Sequence, residues 1–315
     1  MQGLNVRPRR LVLVGSILVD ILMYVERLPE RGGDTIARQS LLTSGGGMNI
    51  LLGAVRLGLP ACYAGRIGDG PMGEQVLSDL TRAGIPLLLP RVSGADTGFD
   101  IGLVEADAER TFVTAPGTES RLELADVHAI QLQPGDAVYV SGYDLGYPIS
   151  GETLAAWLLE LPPGVLLIID PGPLVAEIPT TRLERILART NILSLNEREI
   201  GLLTGITALP LAAQTLVTRL APAGFVVARA GAQGCWLASH TVEPLHLPGR
   251  PARIVDTTGA GDTHVAALLA RLAVGDDIIQ ATHRANVAAS LSIERIGPAT
   301  CPTLAELQAA LGSEL

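Results

Sequence analysis

The residues best suited to chemistry lie in one run, Asp256-Thr257-Thr258-Gly259-Ala260-Gly261-Asp262, preceded by the strand-like Arg253-Ile254-Val255 and followed by the amphipathic stretch THVAALLARLAVG. Small residues at Gly259, Ala260 and Gly261 leave the first N–H groups of a helix uncovered. With the positive end of the helix dipole, those amides form an anion site. Asp262 falls in the first turn of that helix. A carboxylate repels an anion, so it suits the role of general base toward a hydroxyl that attacks a bound phosphoryl group. An Asp that caps a helix after a Gly-rich turn accounts for the same residues.

Three further runs have weaker signals of their own. Ser44-Gly45-Gly46-Gly47-Met48-Asn49 opens a helical pattern. Its glycines permit a ligand to approach the backbone closely, and Asn49 either caps the helix or reaches a ligand hydroxyl. Asn196-Glu197-Arg198-Glu199 follows the apolar stretch 192–195. An amide and a carboxylate on one turn suit a magnesium ion held through water, and equally suit a capped helix with an acidic first turn. Arg229-Ala230-Gly231-Ala232-Gln233-Gly234 is a glycine-containing turn after FVVA and carries little information alone.

Composition narrows the chemistry. All 23 basic residues of the 315 are arginine, so the chain has no lysine. That excludes a Walker A phosphate loop, a protein-kinase strand lysine and Schiff-base catalysis. Nucleoside triphosphates would have to be held by backbone amides, arginine and metal. A net charge of −9 and 3% aromatic residues make nucleic acid and anionic membranes poor partners. Cys62, Cys235 and Cys301 are dispersed, which suits inert thiols in a reducing cytoplasm. The apolar run after Arg10 is broken by Asp20 and is too short to span a bilayer, so residues 11–15 read as a first buried strand rather than a leader.

Strand-like runs at 11–14, 137–141, 165–170, 192–195 and 225–228 alternate with helical patterns at 49–57, 73–83, 151–161, 181–188 and 197–203. This alternation predicts a parallel sheet covered on both faces. The last third reads as helices over 262–274, 277–294 and 304–311. Two stretches break the alternation: the polar 23–44, and a hairpin over 99–114 with a turn at 106–109. Both suit excursions into a small β cover, whose use would be to exclude water from a reactive phosphate.

Taken in order, these runs make the chain resemble the ribokinase-like (PfkB) family of carbohydrate kinases. SGGGMNILLGAVRLGLPACYAGRIGDGPMGEQVLSDLTRAGI resembles one family motif and DTTGAGDTHVAALLARL the other, and the resemblance extends from Gly15 to about Cys301. It implies an α/β ribokinase-like fold: a central, mainly parallel sheet flanked by helices on both faces, with a small β-sheet lid. One kinase domain would occupy 1–315, with lid segments at about 21–44 and 97–115. It further implies transfer of the γ-phosphoryl group of ATP to a hydroxyl of a small sugar, with Asp262 as base and Gly259, Ala260 and Gly261 as the anion hole. Asp20, Gly45, Gly46 and Asn49 match substrate-binding positions. Asn196, Glu199, Gly231, Gly234 and Asn286 match nucleotide-binding positions, with Glu199 near magnesium through water. Arg229 stands where threonine is usual, facing either a phosphate or solvent. Asp256, Thr258, Ser292, Arg295 and Gly297 match a potassium site, although Cys301 falls where a serine is usual.

Relatives dimerise through their lids, so a cytoplasmic homodimer is the implied state. Leu18 stands where ribokinases have asparagine, Gly46 where they have lysine and Met48 where they have alanine, which implies a less polar pocket and leaves the acceptor open. The alternatives are a nucleoside or phosphosugar kinase of the same fold, with Arg31, Arg38, Arg66 and Arg110 as candidate phosphate clamps, or a non-catalytic sugar- or nucleotide-sensing protein.

Overall fold

The computed structural model describes residues 6–106 and 109–312. Twelve strands are present among them: β1 (Arg10–Leu13), β2 (Val19–Tyr24), β3 (Gln39–Ser44), β4 (Ala61–Tyr63), β5 (Phe99–Val104), β6 (Arg110–Ala115), β7 (Asp136–Ser141), β8 (Leu166–Asp170), β9 (Ile192–Asn196), β10 (Phe225–Arg229), β11 (Cys235–Ser239) and β12 (Val242–Leu247). The described helices are α1 (Met48–Arg56), α2 (Pro71–Arg82), α3 (Leu124–Ala129), α4 (Gly142–Gly146), α5 (Pro148–Trp157), α6 (Thr180–Leu187), α7 (Glu197–Thr204), α8 (Leu209–Val217), α9 (Ala260–Ala273), α10 (Ile278–Ser292) and α11 (Leu304–Gly312). No single described helix is long and apolar enough to cross a membrane.

The main sheet has the order β12-β11-β10-β9-β8-β7-β1-β4. Its pairings are parallel from β4 through β10 and antiparallel for β11 and β12. Successive residues of its central strands go to opposite faces, as the period of two requires. Leu166, Ile168, Phe225 and Val227 join the core under α1, α9 and α10. Leu167, Ile169, Val226 and Ala228 join the second core under α5, α6 and α8. Burial on both faces explains why these strands read as unbroken apolar runs.

The two excursions form a separate sheet of order β3-β2-β5-β6, in which β2 pairs parallel with β5. The expected turn of the 99–114 hairpin includes Asp107 and Ala108, which lie outside the described residues. One expectation is corrected. Arg253-Ile254-Val255 is not a strand: Ile254 and Val255 are exposed, and the N–H groups of Val255 and Asp256 both donate to the Ile293 carbonyl. That carbonyl ends α10, where helical carbonyls lack internal partners, and the segment is spent on capping it instead of joining the sheet.

Ile168 and Ile169 are fully buried in β8, one on each face. Truncating either to alanine is expected to cost about 2–5 kcal/mol, read as a lower denaturant midpoint with unchanged slope. A cost under about 1 kcal/mol would contradict the two-core packing.

Candidate active site

The carboxyl ends of β8, β9 and β10 place Asp170, Asn196 and Arg229 in one row, with Arg229 in register with Asn196. The N-terminus of α9 faces that row. Its cap, Gly259, has φ +71°, and a Cβ there would strike the Pro298 carbonyl, so only glycine fits. The Ala260 N–H donates to the Thr257 carbonyl at 3.3 Å, closing the turn that opens α9, and Thr257, Ala260 and Gly261 line an open cavity.

Arg229 does not point to solvent; it lines the cavity beside α9 while held by the acids. Its Nη2 pairs with Asp170 Oδ2 at 3.0 Å and stands 3.7 Å from Glu199 Oε2. Its Nη1 is buried without an acceptor, and a side chain at Gly261 would collide with it. The guanidinium therefore lies under the start of α9, and an anion held by the amides would find a cation beside them.

Asp262 sits in the first turn of α9, half-buried. Asn49 Nδ2 donates to its Oδ2 at 3.3 Å. Burial, and after it Asp170, push the Asp262 carboxyl up to about 7, while Asn49 and Arg229 act in the opposite sense. That places it in the range suited to a general base near neutral pH. Asn49 is not the helix cap, which is Gly47. Its Oδ1 is buried and unpartnered, leaving an acceptor free on the far side of the amide from Asp262. Asp20 lies within β2 rather than in a loop, and its carboxylate covers Gly45 so tightly that any Cβ there would clash. Gly46 follows with φ +56°.

Asn196 and Glu199 are held in a reciprocal cap at the start of α7. Asn196 Oδ1 accepts from the Glu199 N–H at 2.9 Å, and both Glu199 oxygens accept from Asn196 at 2.8 Å. Glu199 is buried with both oxygens engaged, so a magnesium ion carried by a triphosphate fits here only through intervening water. Among the described residues no group of three or more His, Cys, Asp or Glu is arranged to hold a metal.

The cavity beside α9 measures about 800 Å³ and is lined by Asn196, Arg229, Gly231, Gly234, Gly261, His264, Asn286 and Ile293, among others. Its volume suits a nucleotide-sized ligand. Asn286 has its amide committed within the protein: Nδ2 donates to the Leu247 and Pro248 carbonyls, and Oδ1 meets His264 Nε2 at 3.0 Å. It shapes the wall instead of offering free hydrogen bonds. Burial drives the His264 pKa down to about 3. The neutral ring must donate from Nε2 to Asn286 Oδ1, which leaves Nδ1 a bare buried acceptor.

The expected potassium positions do converge. The Gly297 and Thr258 N–H groups donate to the Asp256 carboxylate at 3.0 and 2.8 Å, and the Arg295 N–H donates to the Ser292 carbonyl. The Asp256 carboxylate, however, also takes the Arg110 guanidinium of β6 at 2.6 Å. Burial opposes these donors, yet their sum holds Asp256 down at about 2. The Arg110 guanidinium thus already pairs with the one carboxylate among these positions.

Sequence reasoning missed Asp170, His264 and Asp100. Asp170 and Asp100 are each the one polar residue of an apolar strand, and His264 follows Asp262 and Thr263 in α9; only Asp170 had a visible sign, an acid closing the run LLIID.

The comparisons agree with this geometry. The model of the pfkB family carbohydrate kinases matches residues 8–304. The chain belongs to that family. The uncharacterized sugar kinase YegV of Escherichia coli is 33% identical over 299 residues, covering 94% of this chain and 92% of the relative. A ribokinase of Arabidopsis thaliana is 27% identical, covering 90% and 76%. Among solved structures, the ribokinase of Giardia lamblia superposes with a TM-score of 0.83 at 24% identity over 96% of this chain and 99% of that one. The nucleoside kinase of Methanocaldococcus jannaschii gives 0.81 at 17% over 98% and 100%. At these identities the structures establish the ribokinase fold of this kinase and nothing finer.

With a base near neutrality, kcat/KM for the phosphoryl acceptor is expected to rise as pH passes through about 7. Because Arg229 lowers the Asp262 pKa, Arg229→Thr is expected to move that rise to higher pH. An unmoved or acid-shifted profile contradicts the arrangement.

Proposed function

We propose that this protein transfers the γ-phosphoryl group of ATP to a hydroxyl of a small, unphosphorylated sugar. One observation carries the reading: a half-buried carboxylate, Asp262, stands in the first turn of the helix whose first residues, Ala260 and Gly261, line the nucleotide-sized cavity. The acceptor oxygen attacks the γ-phosphorus in line with the departing ADP oxygen. Asp262 takes its proton, and Asn49 holds Asp262 while offering Oδ1 to the acceptor. The amides of Gly259, Ala260 and Gly261, with Arg229 beneath them, stabilise charge on the equatorial oxygens. A magnesium ion bound with the triphosphate would supply further charge neutralisation, met by Glu199 through water. ATP and ribose are bound by the Arabidopsis thaliana ribokinase in its solved structure, which supports ATP as donor here.

The phosphosugar alternative lacks its clamps. Arg38 pairs with Glu26, Arg66 with Glu123 and Asp126, and Arg110 with Asp256, while Arg31 is exposed. Leu18 is buried, and Met48 lines a separate cavity of about 300 Å³ whose other walls include Asp79 and Arg82.

The small sheet would serve as the lid, within a single kinase domain. Leu42, Ile21, Ile101 and Val113 stand in one cross-strand row, and three of them are exposed. A homodimer that buries this row is part of the proposal, as is a cytoplasmic location for the three buried free thiols.

Acceptor-dependent ADP release from a panel of sugars and nucleosides tests the reading. Asp262→Asn is expected to lower kcat by about 10²–10⁴-fold; equal release from variant and wild type would falsify the assigned base. Because Arg110 already supplies a positive charge to Asp256, no step is assigned to potassium. The rate is expected to be the same in potassium and in tetramethylammonium buffer, and a strong potassium stimulation would contradict that assignment.

A further inference from the structure

Two carboxylates in the small sheet have no counterpart in the mechanism. Parallel pairing of β2 with β5 sets Asp20 directly beside Asp100, on strands about 4.8 Å apart. Like charges in that relation repel. Asp100 Oδ1 is buried with no hydrogen-bond partner. Among the described residues neither acid is given an ion pair, although most arginines that could approach are committed elsewhere. Nothing in the fold requires the pair: each residue neighbours apolar strand positions where a valine would serve. The acids lie on the substrate side, since Asp20 rests on Gly45, four residues before the Asn49 that holds Asp262.

Resting on the kinase reading above, we propose that Asp100 is a specificity determinant of the acceptor site, reading a hydroxyl of an uncharged polyhydroxylated molecule next to the one that faces Asp20. Asp100 is the determinant that a pocket built on Asp20 and Asn49 alone would lack. Burial and the neighbouring Asp100 raise Asp20 to about 7, and burial raises Asp100 to about 6. Near neutral pH the pair is therefore partly protonated. It offers carboxylate acceptors and, in part of the population, an O–H donor, a set matched by hydroxyls, which both donate and accept. A phosphate or carboxylate only accepts, and would meet two acids and Asp262. Sites built to bond a hydroxyl reject analogues that lack it, because their own buried groups are then left unpaired.

The experiment uses the full-length protein, ATP, and a panel of pentoses, hexoses and sugar alcohols with their phosphate esters, amino analogues and single-deoxy analogues. ADP release gives kcat and KM for wild type, Asp100→Asn and Asp100→Ala. The best acceptor is expected to be an uncharged polyol or sugar. Asp100→Asn should raise its KM about tenfold or more, the loss of one charge-assisted hydrogen bond, with kcat changed by less than about threefold. One deoxy analogue should be used equally well by wild type and Asp100→Ala, which identifies the hydroxyl that Asp100 reads. Without acceptor, Asp100→Asn should have a higher Tm than wild type, because an unneutralised acid has been removed, and should gain less Tm from saturating acceptor.

An unchanged KM in both Asp100 variants overturns the proposal while leaving the kinase reading intact, provided that Asp262→Asn still abolishes turnover. A phosphorylated or amino sugar as best acceptor also overturns it. Absence of ADP release with every acceptor from folded protein removes the kinase reading and this inference with it.

Discussion

The N-terminus of α9 concentrates a positive potential at three residues without obstructing side chains, and the rest of the site is arranged around that field. Helix amides left without partners demand an anion, water or a cap. Here glycine at 259 and 261 keeps the chain from supplying its own cap. The sheet brings Asp170, Asn196 and Arg229 to the same place because its parallel strands all end there, as ligand sites in open α/β sheets generally do. A structure that exposed this helix mouth without placing Asp262 and Arg229 beside it would bind phosphate but have no means of activating an acceptor.

Charge in the site is managed entirely with arginine. The acids Asp170, Glu199 and Asp262 lie within reach of one another, and Arg229 is the cation beneath them. Its planar fork reaches Asp170 and still leaves Nη1 directed under Gly261, a division of labour that a single ammonium point charge would not reproduce. A second arginine, Arg110, ties the tip of the small sheet to Asp256, just ahead of the helix mouth. Through that ion pair the small sheet contacts the loop that precedes α9.

Much of this was legible in the sequence, for identifiable reasons. Strands buried on both faces announce themselves as continuous apolar runs, and five of the central strands do so. The Gly-rich turn before α9 could be read because small residues followed by an acid have few other uses. The small sheet was harder. Its strands are half-exposed, and β3 exposes both Leu41 and Leu42, so no alternation survives to betray it. Arg253-Ile254-Val255 misled because its β-branched residues cap a helix end and line a cavity, uses that local propensity does not register. Asp100 was invisible for a different reason. Its meaning comes from a partner 80 positions earlier, and the register that joins Asp20 to Asp100 is a property of the folded sheet. His264 and Asn286 likewise acquire their roles only from each other.

The central claim is that the mouth of α9 cradles the transferring phosphoryl group beside Asp262. The most direct test is a crystal structure of the protein with ADP, aluminium fluoride and an acceptor sugar. The account predicts the planar fluoride within hydrogen-bond distance of the Gly259–Gly261 amides, the Arg229 guanidinium adjacent, and one acceptor hydroxyl between the aluminium and the Asp262 carboxylate. Fluoride density away from that helix end, or an Asp262 side chain turned from the acceptor, would contradict it.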